Sequence, residues 1–230
     1  NYQPSNIESA LKAKPGNGFQ QAWLMGVYFA GFTQACVYKE TKYAKAYLKP
    51  MQQLATKLKA NEFFNAEEFK SMFGKSRRYE ALLDKITQSY EDISNHWIKL
   101  NYPDLSILMA SGSFVESLYL LSSPKYRIYK QAYWDRLGEQ KIMLEQHLLL
   151  LSFYEHQPEV KKVLLTLNEL QKIYDQVKID FIYQKPKLDF SKDIIEVQDK
   201  TLARIQIDKV IKQKLIKLIN EQRTQLISFD

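Results

Sequence analysis

Residues 22–38, AWLMGVYFAGFTQACVY, decide the fold, because they combine apolar and aromatic side chains with small ones. A membrane span needs about 20 predominantly apolar residues, whereas this run is shorter and is interrupted by Thr33 and Gln34. A dinucleotide-binding loop needs the pattern G-x-G-x-x-G between a strand and a helix, and Gly26 and Gly31 lack that spacing. We therefore interpret the stretch as a helix in the core of a globular protein.

The small residues of this helix predict a close contact with a second helix. Ala22, Gly26 and Ala30 recur every four residues, so they share one face of a helix. Glycine inside a helix costs about 1 kcal/mol relative to alanine, and close packing would offset that cost. Residues 109–117, MASGSFVES, offer a similarly thin surface around Gly112. We expect close packing at Gly26, Ala30 and Gly112, where the two helices cross.

The hydrophobic pattern along the rest of the chain predicts a mainly α fold. Apolar residues recur at steps of three and four over most segments, as they do in helices. Residues 177–183 instead alternate between apolar and polar types, which indicates a strand. We predict a single helical domain over 1–230, a compact multi-helix bundle. A small β-hairpin or extended arm at 177–207 precedes the C-terminal helix at 208–228, for which Asp208 is a suitable N-cap.

Net charge makes nucleic-acid binding a hypothesis to test. The chain has 33 Lys+Arg against 26 Asp+Glu, a formal net charge of +7, and basic proteins can bind nucleic acid or anionic membranes. The lysines nevertheless alternate with acids along most helical segments. The densest runs, at 39–49 and 209–217, have helical spacing, which is typical of solvated helix faces. Binding of nucleic acid by a basic surface is therefore the least favoured of three hypotheses.

Motifs for catalysis and metal binding are missing from the sequence. His96, His147 and His156 are not paired at metal-binding spacings, and the only cysteine is Cys36. The GKS sequence at 74–76 lacks the earlier glycine of a phosphate-binding loop. We therefore expect no catalytic residue, no cofactor and no metal site, and we interpret Cys36 as a buried, inert thiol because its neighbours are apolar.

Glu116 is the candidate for a buried polar or ligand-binding residue. It lies in an otherwise apolar helix, and a buried carboxylate must be paired or protonated. One interpretation is an internal ion pair or hydrogen bond with a Tyr, Lys or Arg. The other is a carboxylate that faces a ligand pocket. Tyr28, in the helix at 22–38, and Tyr119, in the same helix as Glu116, are further candidates for ligand binding.

A second candidate surface follows from aromatic and basic residues that alternate in the segment SPKYRIYKQAYWDR. Such alternation can bind single-stranded nucleic acid by stacking and charge, but it is also typical of an amphipathic helix with partly buried tyrosine rings. If the segment is exposed, it could form a protein interface, because Tyr, Trp and Arg are enriched at hot spots. The candidate interface residues are Tyr126, Arg127, Tyr129, Tyr133 and Trp134.

Three stretches resemble a family of uncharacterised, mostly helical envelope lipoproteins of Bacteroidetes-type bacteria. They are LMGVYFAGFTQACVYKET, ASGSFVESLYL and VKIDFIYQKPKLD, similar to the family's LGVYGADLSY-like and GGWIEGLYL-like motifs and its late extended segment. The matching positions are Gly26, Val27, Tyr28, Ala30, Gly112, Glu116, Leu118, Tyr119, Tyr183 and Pro186. The family's acidic residue after the alanine is Gly31 here.

The resemblance implies a location but no activity. We expect a periplasmic or outer-membrane-associated lipoprotein, held to the membrane only by a lipid on a cysteine upstream of Asn1. The leading hypothesis is a non-enzymatic interaction or scaffold protein whose partner is an unknown envelope protein. The alternative is a helical protein that binds a small molecule or lipid in a pocket between the helices at 22–38 and 105–121, which requires a cavity of a few hundred Å³.

Overall fold

The computed structural model describes residues 5–73, 79–123, 130–182, 187–189, 196–198 and 202–228, which form helices and four short strands. The helices are α1 (Ser5–Lys12), α2 (Gly18–Val37), α3 (Thr41–Lys57), α4 (Ala66–Met72), α5 (Tyr79–Lys99), α6 (Pro103–Leu121), α7 (Lys130–Ser152), α8 (Pro158–Tyr174) and α9 (Lys209–Ser228). The strands are β1 (Lys178–Ile182), β2 (Lys187–Asp189), β3 (Glu196–Gln198) and β4 (Leu202–Gln206). The predicted mainly α bundle is confirmed.

The helices α2 and α6 lie at the centre of the bundle and make its most extensive helix–helix contact. Helices α3, α4 and α5 pack on one side of this pair, whereas α7, α8 and α9 pack on the other. Both central helices are apolar nearly all round, which is the pattern of a helix buried by neighbours on several sides. The stretch at 22–38 is therefore a core helix, as its composition predicts.

Side chains beside the helix ends explain where several helices begin. The Asn17 side chain accepts a hydrogen bond from the Gln20 amide at 2.9 Å and so caps α2. Asn65 caps α4 by accepting from the amides of the second and third residues of that helix. The Asp208 carboxylate accepts from Val210 at 2.7 Å and from Ile211 at 2.8 Å. The predicted N-cap of the last helix is therefore confirmed.

The strands form an arm that packs against α7. β1 pairs antiparallel with β4, and β2 pairs antiparallel with β3, so the arm is a hairpin-like ribbon between α8 and α9. A β-carbon built on Gly138 of α7 would overlap the Ile205 side chain, so the missing side chain allows β4 to approach the helix. The alternation predicted for β1 buries Val177 but leaves Phe181 64% exposed, because the ribbon leaves the core along its length.

Candidate functional site

The crossing of α2 and α6 forms the scaffold on which the buried polar residues are placed. A β-carbon on Gly26 would overlap the Met109 carbonyl oxygen, and one on Gly112 would overlap the Trp23 carbonyl oxygen. Both glycines therefore lie where the two backbones touch. Ala30 continues the same row but is only half-buried, so the tightest contact is centred on the two glycines.

Gly31 of α2 lies against a different helix. A β-carbon on Gly31 would overlap the hydroxyl of Tyr47 from α3. The acidic side chain that the resemblance places at this position would meet the same ring. Because Gly31 has no side chain, the ring of Tyr47 can pack against α2 in the core.

Glu116 and Arg223 form a buried ion pair inside the bundle. The Arg223 Nε atom donates to Glu116 Oε2 at 2.8 Å, and Nη2 donates to Oε1 at 3.1 Å. The two side chains are 1% and 4% exposed. Because the contact is bidentate and both groups are buried, the carboxylate of Glu116 is committed to its partner rather than directed into an open pocket.

Opposing effects act on the protonation of Glu116. Burial raises the pKa of this carboxyl, because the charged form loses its hydration. The charge of Arg223 and its hydrogen bonds act in the opposite direction and favour the carboxylate. The pKa remains raised on balance, so the charged state of Glu116 depends on Arg223.

Further side chains contact Arg223 from two helices, α6 and α1. Tyr119, one turn after Glu116 on α6, places its ring 4.5 Å from the guanidinium carbon, which is a cation–π contact. Arg223 Nη1 donates to the Ser9 hydroxyl of α1. The next residue of α1, Ala10, accepts a hydrogen bond from the Tyr28 hydroxyl at 3.1 Å. The candidates Glu116 and Tyr119 therefore share one cluster, and Tyr28 contacts the same short helix.

Arg223 is the central residue of this cluster, and sequence analysis did not identify it. A signal was present, because Ile211, Leu215, Ile219 and Leu226 form the buried stripe of α9 and Arg223 lies four residues after Ile219. A charged residue on an apolar stripe requires a buried partner. Its partner lies 107 residues away in the chain, however, and no local pattern identifies it.

Cavities near the predicted pocket are small. The pocket beside the start of α2 has a volume of about 40 Å³ and is lined by Trp23, Leu108, Val163 and other residues. That volume holds a few water molecules, whereas the small-molecule hypothesis requires several hundred Å³.

A larger pocket lies away from the α2–α6 contact. Its volume is about 380 Å³, and it lies above Arg223, between α1 and α9, with Lys12 and Lys14 at its edge.

The predicted aromatic interface lies only partly within the described residues. Tyr126, Arg127 and Tyr129 fall outside them. Tyr133 is 3% exposed, so its ring contributes to the core and is not available for an interface. Trp134 is half-buried, and the Lys212 ammonium lies 4.6 Å from its ring centroid.

Residues with reactive side chains are dispersed in the described parts of the chain. No group of three or more His, Cys, Asp or Glu residues that could hold a metal ion occurs among them. Burial raises the pKa of the Cys36 thiol to about 12, which keeps it protonated at neutral pH. The ring of His147 packs edge-on against that of Phe114, with 4.6 Å between the ring centroids. Burial lowers the pKa of His147.

The outward side of α7 carries large apolar residues, in contrast to its inner side. Leu137, Leu144 and Leu151 are fully buried in a narrow seam. The exposed apolar residues, which we call the α7 apolar row, are Ile142, Met143, Leu149, Leu150 and Phe153, which directly follows the helix. Spacings of seven and four place most of them on one side of the helix. The row arises because residues 148–151 are four consecutive leucines, which cannot all face the core.

The comparisons with known proteins leave the chain without a family assignment. No family model, no curated protein and no solved structure matches it. In the described residues, α6 alone has the length and apolar composition of a membrane span, and 56% of that stretch is buried inside the bundle. Core helices of globular proteins have the same composition.

Proposed function

We propose that this chain is a non-enzymatic interaction or scaffold protein of the bacterial cell envelope, periplasmic or associated with the outer membrane. The α7 apolar row is the observation that carries the interaction role. Leu149 is 61% exposed and Phe153 is 66% exposed, and large apolar side chains grouped on one exposed helix face are typical of protein–protein interaction sites. The envelope location and the lipid anchor rest on the sequence resemblance.

The buried ion pair supports a structural role for Glu116, the carboxylate that stands out in the sequence. Glu116 and Arg223 neutralise each other, and the Glu116 side chain is 1% exposed. The α2–α6 contact, where the alternative hypothesis places a ligand, has backbones touching at Gly26 and Gly112. An interaction surface on the outside of the bundle is therefore the function that the geometry supports best.

Site-specific photocrosslinking in the native host tests this proposal. A photoreactive amino acid at Leu149 or Phe153 should crosslink to a discrete envelope protein, identified by mass spectrometry. The same probe at Thr87, an exposed polar position on α5, is the control and should not capture that protein. Leu149→Glu should abolish the crosslink from Phe153 while changing stability by less than about 0.5 kcal/mol, because the side chain is exposed.

Three results would overturn the proposal. Equal capture at Leu149 and Thr87 would show that the α7 apolar row has no specific partner. Cell fractionation that finds the protein in the cytosol would remove the envelope location. Turnover of an envelope substrate by the purified protein would replace the scaffold role with an enzymatic one.

A further inference from the structure

A strongly basic face of α3 is not used by the proposed function. The exposed residues of α3, which we call the lysine face, are Lys42, Lys45, Ala46, Lys49, Gln53, Thr56 and Lys57. They cover about a third of the helix circumference at 100° per residue. Helix α3 contains no Asp or Glu, so its four lysines meet no acidic residue within their own helix.

The two acidic residues of α4, the helix beside the lysine face, have other partners. Glu67 of α4 pairs with Lys70 at 3.4 Å, and Glu68 pairs with Lys85 at 3.2 Å. In the described parts of the chain, no ion pair within 4 Å involves a lysine of α3. Ion pairs therefore do not offset the positive charge of the lysine face, in contrast to the mixed acidic and basic residues of α5 and α8.

The surface beside the lysine face is concave. An open groove of about 840 Å³ lies between α3 and α4. Lys45, Lys49 and Lys57 line one side, whereas Asn65 and the ion-paired Glu67 and Lys70 line the other. Amide and hydroxyl groups of Gln52, Gln53 and Thr56 also line it. Ammonium groups together with neutral polar groups are the chemistry that binds phosphate oxygens.

Exposed apolar residues also lie just before α3 in the chain. Val37, the last residue of α2, and Tyr38, which follows it, are 49% and 41% exposed. Lys39 and Lys42 flank them in the sequence. Tyrosine is favoured at the boundary between water and lipid, because its ring is apolar and its hydroxyl is polar.

We infer that the lysine face of α3, with Val37 and Tyr38 just before α3 in the chain, binds the anionic headgroup surface of a phospholipid bilayer. Lysines near an anionic membrane are attracted without fixed geometry, which matches a face of flexible point charges. A nucleic-acid surface fits less well. The lysine face has no arginine for bidentate phosphate contacts, and the exposed residues of α3 include no aromatic ring. Tyr38 beside it offers one ring, whereas stacking of successive bases uses several. The inference does not depend on the envelope proposal.

Vesicle cosedimentation with the full chain tests this inference. Vesicles of phosphatidylcholine containing a quarter phosphatidylglycerol should bind the protein, whereas pure phosphatidylcholine should not. Each lysine near such a surface strengthens binding about fivefold. The triple variant Lys42→Gln, Lys45→Gln, Lys49→Gln should therefore weaken binding about a hundredfold. Raising NaCl from about 50 to 300 mM should weaken wild-type binding, because salt screens exposed charges.

A matched variant separates the lysine face from the overall charge of the protein. Lys161→Gln, Lys209→Gln, Lys214→Gln removes three exposed lysines from α8 and α9 and changes the net charge equally. This variant should bind within a few-fold of the wild type. Tyr38→Ser should weaken the binding that remains at high salt, because apolar insertion is not screened by ions.

Several outcomes would overturn the inference. Equal binding to both vesicle types, or none, would remove the anionic membrane as a ligand. Equal losses in the two triple variants would assign the binding to net charge alone. Tighter binding to a mixed-sequence single-stranded oligonucleotide than to the vesicles, lost in the α3 variant, would identify nucleic acid as the ligand of this face.

Discussion

Gly112 of α6 lies directly against the backbone of Trp23 in α2. A β-carbon at Gly112 would overlap the Trp23 carbonyl oxygen and would lie 3.1 Å from its carbonyl carbon. On the facing helix, a β-carbon at Gly26 would lie 2.8 Å from the Ser113 amide nitrogen. Because the obstructing atoms belong to the backbone, a side chain at either glycine must push the two central helices apart.

Gly112→Ala should lower the free energy of unfolding by about 2 kcal/mol or more, because overpacking displaces two rigid helices. This loss should exceed the gain of about 1 kcal/mol that alanine brings in helix propensity. Chemical denaturation measures the change. Gly18→Ala is the matched control, because a β-carbon there meets no atom within 4 Å, and its stability should stay within about 0.5 kcal/mol of wild type. Equal behaviour of the two variants would contradict the close contact.

Arg223→Met should lower the free energy of unfolding by about 3–5 kcal/mol at neutral pH, because it leaves the buried Glu116 carboxylate unpaired.

Glu116→Gln should keep the fold, whereas Glu116→Ala should unfold it, because only glutamine retains the shape and a hydrogen-bonding group. In the double variant Glu116→Met, Arg223→Met, the loss of unfolding free energy should be smaller than the sum of the losses in Glu116→Met alone and in Arg223→Met alone. Additive losses would show that the two residues do not interact.

The Arg223→Met variant should also recover stability as the pH falls. Without its partner, Glu116 keeps only the burial that raises its pKa, so the folded state binds a proton more readily than the unfolded state. Stability is then complete below the ordinary glutamate pKa of 4.5 and is lost as the pH rises through the raised pKa of the folded state. Urea titrations of wild type and variant over this range give the difference. A deficit that does not change with pH would mean that Glu116 is not the group left unpaired.

His147 should make the protein less stable in mild acid. Burial lowers its pKa from 6.5, so below that value the unfolded state binds more protons than the folded state. Stability is therefore complete above pH 6.5 and is lost as the pH falls towards the lowered pKa of the folded state. His147→Asn should flatten the stability profile below pH 6.5, whereas His156→Asn, at an exposed histidine, should leave it unchanged. Identical profiles for both variants would exclude His147 as the cause.

Cys36 should be unreactive towards a thiol reagent in the folded protein. Its side chain is 2% exposed, and a pKa of about 12 leaves almost no thiolate at neutral pH. Labelling with a chromogenic disulfide should therefore require guanidinium. Thr87→Cys in a Cys36→Ala background places a thiol at an exposed position and should react at once. Rapid labelling of native Cys36 would contradict its burial.

The sequence by itself determined the helices and the contact between the two central ones. These features depend on patterns within about twenty residues: the spacing of apolar residues, the capping side chain of Asp208, and the small residues around Gly26 and Gly112. Local backbone geometry converts each pattern into structure. The burial of Glu116 follows equally, because its own helix is apolar on every side.

Apart from the contact between α2 and α6, only the tertiary structure decided which residues meet. It selected Arg223 as the partner of Glu116, it placed Tyr47 of α3 against Gly31, and it buried Tyr133, which the aromatic pattern made a candidate for an interface. Each of these outcomes depends on the relative orientation of helices far apart in the chain. That orientation is set by the packing of the whole core, so a pattern confined to one segment does not contain it.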